Sequence, residues 1–259
     1  MFRTTICLAV ALGGWCGCGA WADEATDKAF AVLKGYDWGQ DRAALQPIEA
    51  AIAASRSDGA ARKALEQRLA EVLPTQAPQA AKDFVCRQLS LIGTAECVPA
   101  LEPLLLDEKL GHMARYALER IPDDAALQAL RTALPKASGL RKVGIVNSLG
   151  VRRDVSSVAA LVSLLADTDA QMAAAAAGAL GKIGNADAAK ALGEFLAKGP
   201  EALRLAAADA SLVCAERLLA DGKKAEALAI YKTLSKPEMP KHVQVAAVRG
   251  QVAALGQKK

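Results

Sequence analysis

His112 and His242 are the only histidines in this 259-residue chain. Imidazole is the usual side chain for general acid–base catalysis near neutral pH and for zinc or haem ligation, so the choice of catalytic groups is narrow. Both fall near expected helix starts, His112 within Gly111-His112-Met113, and read as helix-terminal surface residues. Cys-x-x-Cys-His, Gly-x-Ser-x-Gly, His-Glu-x-x-His, the P-loop and Gly-x-Gly-x-x-Gly are all absent from the sequence. No residue pattern therefore calls for a cofactor, a metal or a catalytic centre, and a non-catalytic protein is expected.

Of six cysteines, Cys7, Cys16 and Cys18 lie in the first 22 residues, which have the layout of a secretory signal peptide. Arg3 supplies the positive start, Ile6 to Leu12 the apolar run, and Ala20-Trp21-Ala22 an A-x-A cleavage site directly before Asp23 and Glu24. Cleavage after Ala22 and export to the periplasm or the exterior are expected. A lipid anchor on Cys16 or Cys18 fits less well, because the residues before them lack the Leu-x-Gly/Ala context. Export permits a disulfide, and Cys86 and Cys97 are the nearest pair. A turn near 93–95 would leave them about 7.5 Å apart along the helix axis, on helices about 8–10 Å apart. A disulfide rarely spans more than about 7 Å between Cα atoms. Buried free thiols are the expectation, for Cys214 as well.

The elements that must position any functional residue are helices. The chain is 53% apolar but only 4% aromatic, and its hydrophobes are mostly Ala and Leu. These are the residues easiest to place in a helix, whereas strands favour the aromatic and β-branched types that are scarce here. Charge is balanced, with 32 Lys and Arg against 28 Asp and Glu. No run of like charges suits a phosphate backbone, so nucleic acid is not an expected partner. Beyond residue 22 no apolar stretch is long enough to span a bilayer.

An internal repeat organises the chain. An apolar segment ending in Ile or Leu recurs at Cys86–Gly93, Ala114–Pro122, Val143–Gly150 and Ala176–Gly184. With Ile92, Ile121, Leu149 and Ile183 in register, the spacings are 29, 28 and 34 residues. A second series interleaves with it at Val98–Leu101, Ala126–Leu130, Val158–Leu161 and Ala188–Leu192. Two helices about every thirty residues make an all-α solenoid of about seven stacked antiparallel hairpins. Ala173 to Ala177 with Gly178 are expected to allow close helix approach, and Gly93, Gly150 and Gly184 to supply left-handed helix ends. Asp154, Asp169 and Asp187 are placed as N-caps or first-turn acids.

Leu180-Gly181-Lys182-Ile183-Gly184-Asn185-Ala186-Asp187-Ala188 and Val98-Pro99-Ala100-Leu101 resemble HEAT-like repeats of bacterial proteins, the short subtype found also in phycobilisome lyases. The resemblance covers roughly residues 76–215 and implies an α-solenoid, a right-handed superhelix of hairpins, that binds other proteins. Residues 23–75 are expected to form an N-terminal helical cap of three helices, near 25–34, 41–55 and 59–73. Residues 216–259 form a C-terminal cap, in which Asp221 to Tyr231 resembles half a tetratricopeptide repeat. Both caps should present a polar outer face.

In the architecture so implied, the second helix of each hairpin lines the concave side. Arg87, Arg115, Glu119, Arg141, Lys142 and Asn147 belong to these helices, and Arg152 and Arg153 follow them. Together they would form a positive stripe for an acidic protein partner. Tyr36 and Trp38, in a Gly-flanked loop, are candidate anchors. The expected protein is thus a monomeric interaction scaffold. The alternative is a helper of an envelope enzyme, lyase-like or carbohydrate-processing, holding a small ligand in its groove. That reading requires an acid or a histidine to converge on the basic column.

Overall fold

A computed structural model describes residues 24–256; the expected signal peptide lies outside the described residues. Within them the chain forms fourteen α-helices with short 3-10 turns and no strand. The first six are α1 (Glu24–Leu33), α2 (Gln46–Ala54), α3 (Gly59–Ala70), α4 (Gln79–Ile92), α5 (Val98–Leu101, continued by a 3-10 turn at Glu102–Leu106) and α6 (Gly111–Leu118). Then come α7 (Asp124–Ala133), α8 (Gly139–Val151), α9 (Val158–Leu164), α10 (Ala170–Ile183), α11 (Ala186–Lys198), α12 (Arg204–Ala220), α13 (Lys224–Leu234) and α14 (Lys241–Gly256).

Local sequence sets the helix starts. Asp58, Asp123, Asp169 and Asn185 each accept a hydrogen bond from a first-turn amide, at 2.8 to 3.0 Å. Pro47, Pro99 and Pro103 occupy first-turn positions, where no amide donor is needed. Consecutive helices pair as seven hairpins, α1/α2 through α13/α14. Even-numbered helices pack on one another in a second-helix row, and odd-numbered helices form the other row. The molecule is an α-solenoid. Its core runs between the rows: Ile92, Ile121, Leu149 and Ile183 are buried on one side, and Leu101, Leu130, Leu161 and Leu192 on the other. The two interleaved sequence series are therefore the inward faces of the two rows.

The close approaches are made by other glycines than Gly178. A Cβ on Gly150 would lie 2.6 Å from the Ala179 Cα, and one on Gly181 2.5 Å from the Ala210 carbonyl oxygen, so α8, α10 and α12 touch backbone to backbone. Gly178 faces open space. In the same stretch the odd-numbered row is splayed. One cleft lies between α9 and α11, beside Val162 and Phe195, and another is lined by Leu196 of α11 and Ile230 of α13.

Of the three helix-end glycines, only Gly184 is left-handed, at φ 64°. Gly93 is extended, and Gly150 lies inside α8 because that helix continues to Val151. The left-handed residue after α8 is Arg153, at φ 53°. Cys86, Cys97 and Cys214 are free and buried, and burial pushes their thiols up to about 12, 12 and 11. The C-terminal unit departs from the expected polar outer face: Val245, Val248, Val252 and Leu255 of α14 are exposed.

Candidate functional site

The cationic residues on and beside the second-helix row fall into three separate settings. The first is a groove between α2, α4 and α6. Arg42, from a 3-10 turn at Arg42–Leu45, lines it with Arg56, Arg62 and Arg87, together with Glu49, Gln88, Leu91 and Tyr116. Its volume is about 460 Å³. Asp41 caps the turn that carries Arg42, and Asp58 caps α3 just before Arg62, so both arginines leave rigid backbone. Burial of Leu45, Ile48 and Leu89 seats α2 and α4 beside each other.

The charges in the groove are unevenly matched. Glu49 accepts a 2.7 Å hydrogen bond from Arg42, which raises the Arg42 guanidinium above its ordinary value. Arg62 donates to the Leu91 carbonyl at 2.6 Å. Arg87 is 3.9 Å from Asp83, its α4 neighbour four residues earlier, and stays mostly exposed. Arg56 is exposed and lines the groove on the side of α2. The Tyr116 ring carries Arg120 stacked at 3.7 Å, which adds a cation to the rim. Leu91, 61% exposed, gives the groove an apolar floor edge.

The second setting lies between α6 and α8. The Arg115 guanidinium lies against Gly144, in the space that a side chain there would take. Burial holds Arg115 below its ordinary value, with Glu119 acting in the opposite direction. Glu119 accepts a 2.7 Å hydrogen bond from the Ser148 hydroxyl. Both residues thus join neighbouring hairpins. Arg141 and Lys142 are half-buried in the first turn of α8, and Asn147 is exposed on its outer face.

Arg152 and Arg153 form the third setting. Arg152 donates to the Leu118, Ile121 and Asp123 carbonyls, capping the end of α6. Arg153 reaches the other way, to the Ile183 carbonyl at 3.5 Å and the Asp221 carboxylate at 2.8 Å. This pair staples four successive hairpins together, from α6 to α12, and is not part of a free stripe. Tyr36 is buried in the core, whereas Trp38 is 64% exposed and lies outside the groove.

The structure therefore brings only Arg87 of the expected residues into the groove. Arg42, Arg56 and Arg62 come from the segment read as a cap. In sequence they mark only the ends of α2 and the start of α3, and their convergence on Arg87 depends on how the first two hairpins stack.

Residues 141–212 match the family model described as HEAT repeats. That segment carries HEAT repeats. The matched segment spans α8 through most of α12, where Gly150 and Gly181 bring successive second helices into backbone contact. No curated protein matches the chain. Among solved structures, it is similar to the complex of CpcE and CpcF of phycocyanin lyase from Nostoc sp., with 17% identity over 97% of this chain and 100% of that chain, at a TM-score of 0.44. An engineered protein is similar at 18% identity over 92% of this chain and 76% of that chain, with a TM-score of 0.39.

Proposed function

We propose that this HEAT-like solenoid is a non-catalytic, exported scaffold that holds an acidic segment of a partner protein in the groove between α2, α4 and α6. The supporting observation is the charge imbalance: four arginines line the groove against one carboxylate, and that carboxylate is engaged by Arg42. An extended acidic segment would place carboxylates on Arg56 and Arg87 and an apolar side chain on Leu91. The guanidinium fork suits paired bonds to carboxylates. Stacked hairpins fix the backbone that carries the arginines, so binding has to order side chains and not the chain itself. A small-ligand helper would need an acid or histidine free to act beside the cations, whereas Glu49 is bonded and no histidine lines the groove. The export component of the proposal rests on the pattern in residues 1–22.

The test is a fluorescence-anisotropy titration of a labelled, Asp- and Glu-rich peptide that contains prolines and so cannot form a helix. Wild type is compared with Arg56→Glu/Arg87→Glu, two exposed positions whose replacement leaves the core intact. The variant should bind at least tenfold more weakly, and wild-type binding should fall steeply as salt screens the charges. Equal affinity for the two proteins would overturn the reading.

A further inference from the structure

The last helix faces the solvent with its bulky side. Val243, Ala247 and Ala254 of α14 are buried where the helix packs on α13 and α12, and Gly250 lies flat on the Tyr231 ring of α13. These contacts use small side chains for the most part. Val245, Val248, Val252 and Leu255 point away, with exposures of 45, 50, 66 and 69%. Their spacing of three, four and three residues places them in one stripe along the helix, the a/d pattern with which one helix seats another. Earlier second-row helices pack on the next member of the row, whereas the stripe on α14 is exposed among the described residues. Terminal units of a solenoid ordinarily carry a polar outer face, and exposed apolar stripes commonly mark interaction sites.

Charge complementarity narrows the choice of occupant. The ionisable residues of α14 are Lys241, His242 and Arg249, and the helix has no carboxylate. On the helical projection Arg249 and His242 flank the stripe on one side, and Gln244 and Gln251 on the other. A second copy of α14 laid on the stripe could offer Arg249 only glutamines and cations; in the antiparallel arrangement Arg249 would face its own counterpart. Like charges in contact disfavour that pairing. A helix with aliphatic residues at a/d spacing and carboxylates along its flank satisfies both the stripe and Arg249.

We propose that the outward face of α14 is a docking surface for an amphipathic, acid-flanked α-helix of a partner protein, which would extend the second-helix row by one member. The surface is independent of the basic groove at the other end of the chain, so either can fail without the other.

The probe is a labelled synthetic helix of four heptads with Leu at a and d and Glu at e and g. It is titrated against the full chain in an Arg56→Glu/Arg87→Glu background, which removes any contribution from the groove. Binding should weaken at least tenfold in Val248→Gln/Val252→Gln and severalfold in Arg249→Glu. These positions are exposed, so circular dichroism should show unchanged helicity. A matched helix with Gln in place of Glu should bind severalfold more weakly than the acidic one. Failure of the acidic helix to bind, or equal binding by the Val248→Gln/Val252→Gln protein, would overturn the proposal. Two further results would overturn the occupant: a dimer in sedimentation equilibrium that the valine changes dissolve, or cosedimentation with phosphatidylglycerol-containing vesicles that exceeds capture of the acidic helix and is lost in the same variant.

Discussion

Arg152 and Arg56 show how one residue type serves two purposes in this chain. The Arg152 guanidinium donates to three carbonyls at the end of α6 and in the turn after it, and burial holds it below its ordinary value. Arg56 is exposed beside the groove. Removing a charged donor from several carbonyls typically costs about 1.5–3 kcal/mol, whereas exposed surface changes stay within about 0.5 kcal/mol. Arg152→Ala should therefore lower urea stability by about 2 kcal/mol, and Arg56→Ala should leave it nearly unchanged while weakening capture of the acidic peptide. The resemblance to HEAT-like repeats puts Arg87, Arg115, Arg141, Lys142, Arg152 and Arg153 in one positive stripe, because a repeat architecture gives the row but not the reach of each side chain. The same limit applies to Asp154. It occupies a helix-start position, as its place before an apolar run suggests, yet its carboxylate bonds Arg131 at 2.7 Å instead of a first-turn amide.

Asp83 carries a pH signature. Burial raises its carboxyl above the ordinary value, and His112 and Arg87 oppose that shift. A carboxyl raised in the folded state costs nothing below its unfolded titration point, where it is neutral in both states, and its cost grows as pH rises from there and is complete above the folded value. Asp83→Asn should thus gain stability relative to wild type between about pH 3.5 and pH 7. Urea midpoints for both proteins across that range check it, and a constant difference between them would remove the burial argument.

At the scale of the helix, glycines separate packing from propensity. Gly150 and Gly181 sit where an added methyl would meet the backbone of the next helix, at Ala179 and Ala210. Gly178 and Gly193 have open space. Alanine gains up to about 1 kcal/mol over glycine inside a helix, whereas overpacking a tight contact costs about 1–3 kcal/mol. Gly150→Ala and Gly181→Ala should lower the melting temperature, and Gly178→Ala and Gly193→Ala should raise it slightly. Helix positions were largely legible, because the Ala/Leu composition, the Asp and Asn caps and the interleaved apolar series all act locally. The expected 25–34 and 59–73 helices correspond to α1 and α3, while the 41–55 helix is α2 with 3-10 turns on either side. Which glycine meets a neighbour depends on how α8, α10 and α12 rotate about their axes. A small residue reads the same on either face, so Gly178 and Gly181 could not be told apart in sequence.

For the molecule as a whole, stacking converts short-range signals into long-range placement. Seven hairpins in chain order put the ends of α2 and the start of α3 beside α4 and α6, and so assemble a groove from residues spanning Arg42 to Tyr116. The repeat was visible in sequence because core positions recur; the groove was not, because its arginines share no periodicity. Hydrogen–deuterium exchange of the full chain with and without the proline-containing acidic peptide addresses this arrangement most directly. Added protection should appear together in the segments around Arg42–Arg62, Arg87–Ile92 and Tyr116, with exchange elsewhere unchanged. Protection centred on α8 and its Arg152-Arg153 turn, or no change at the groove under saturating peptide, would contradict recognition through this groove.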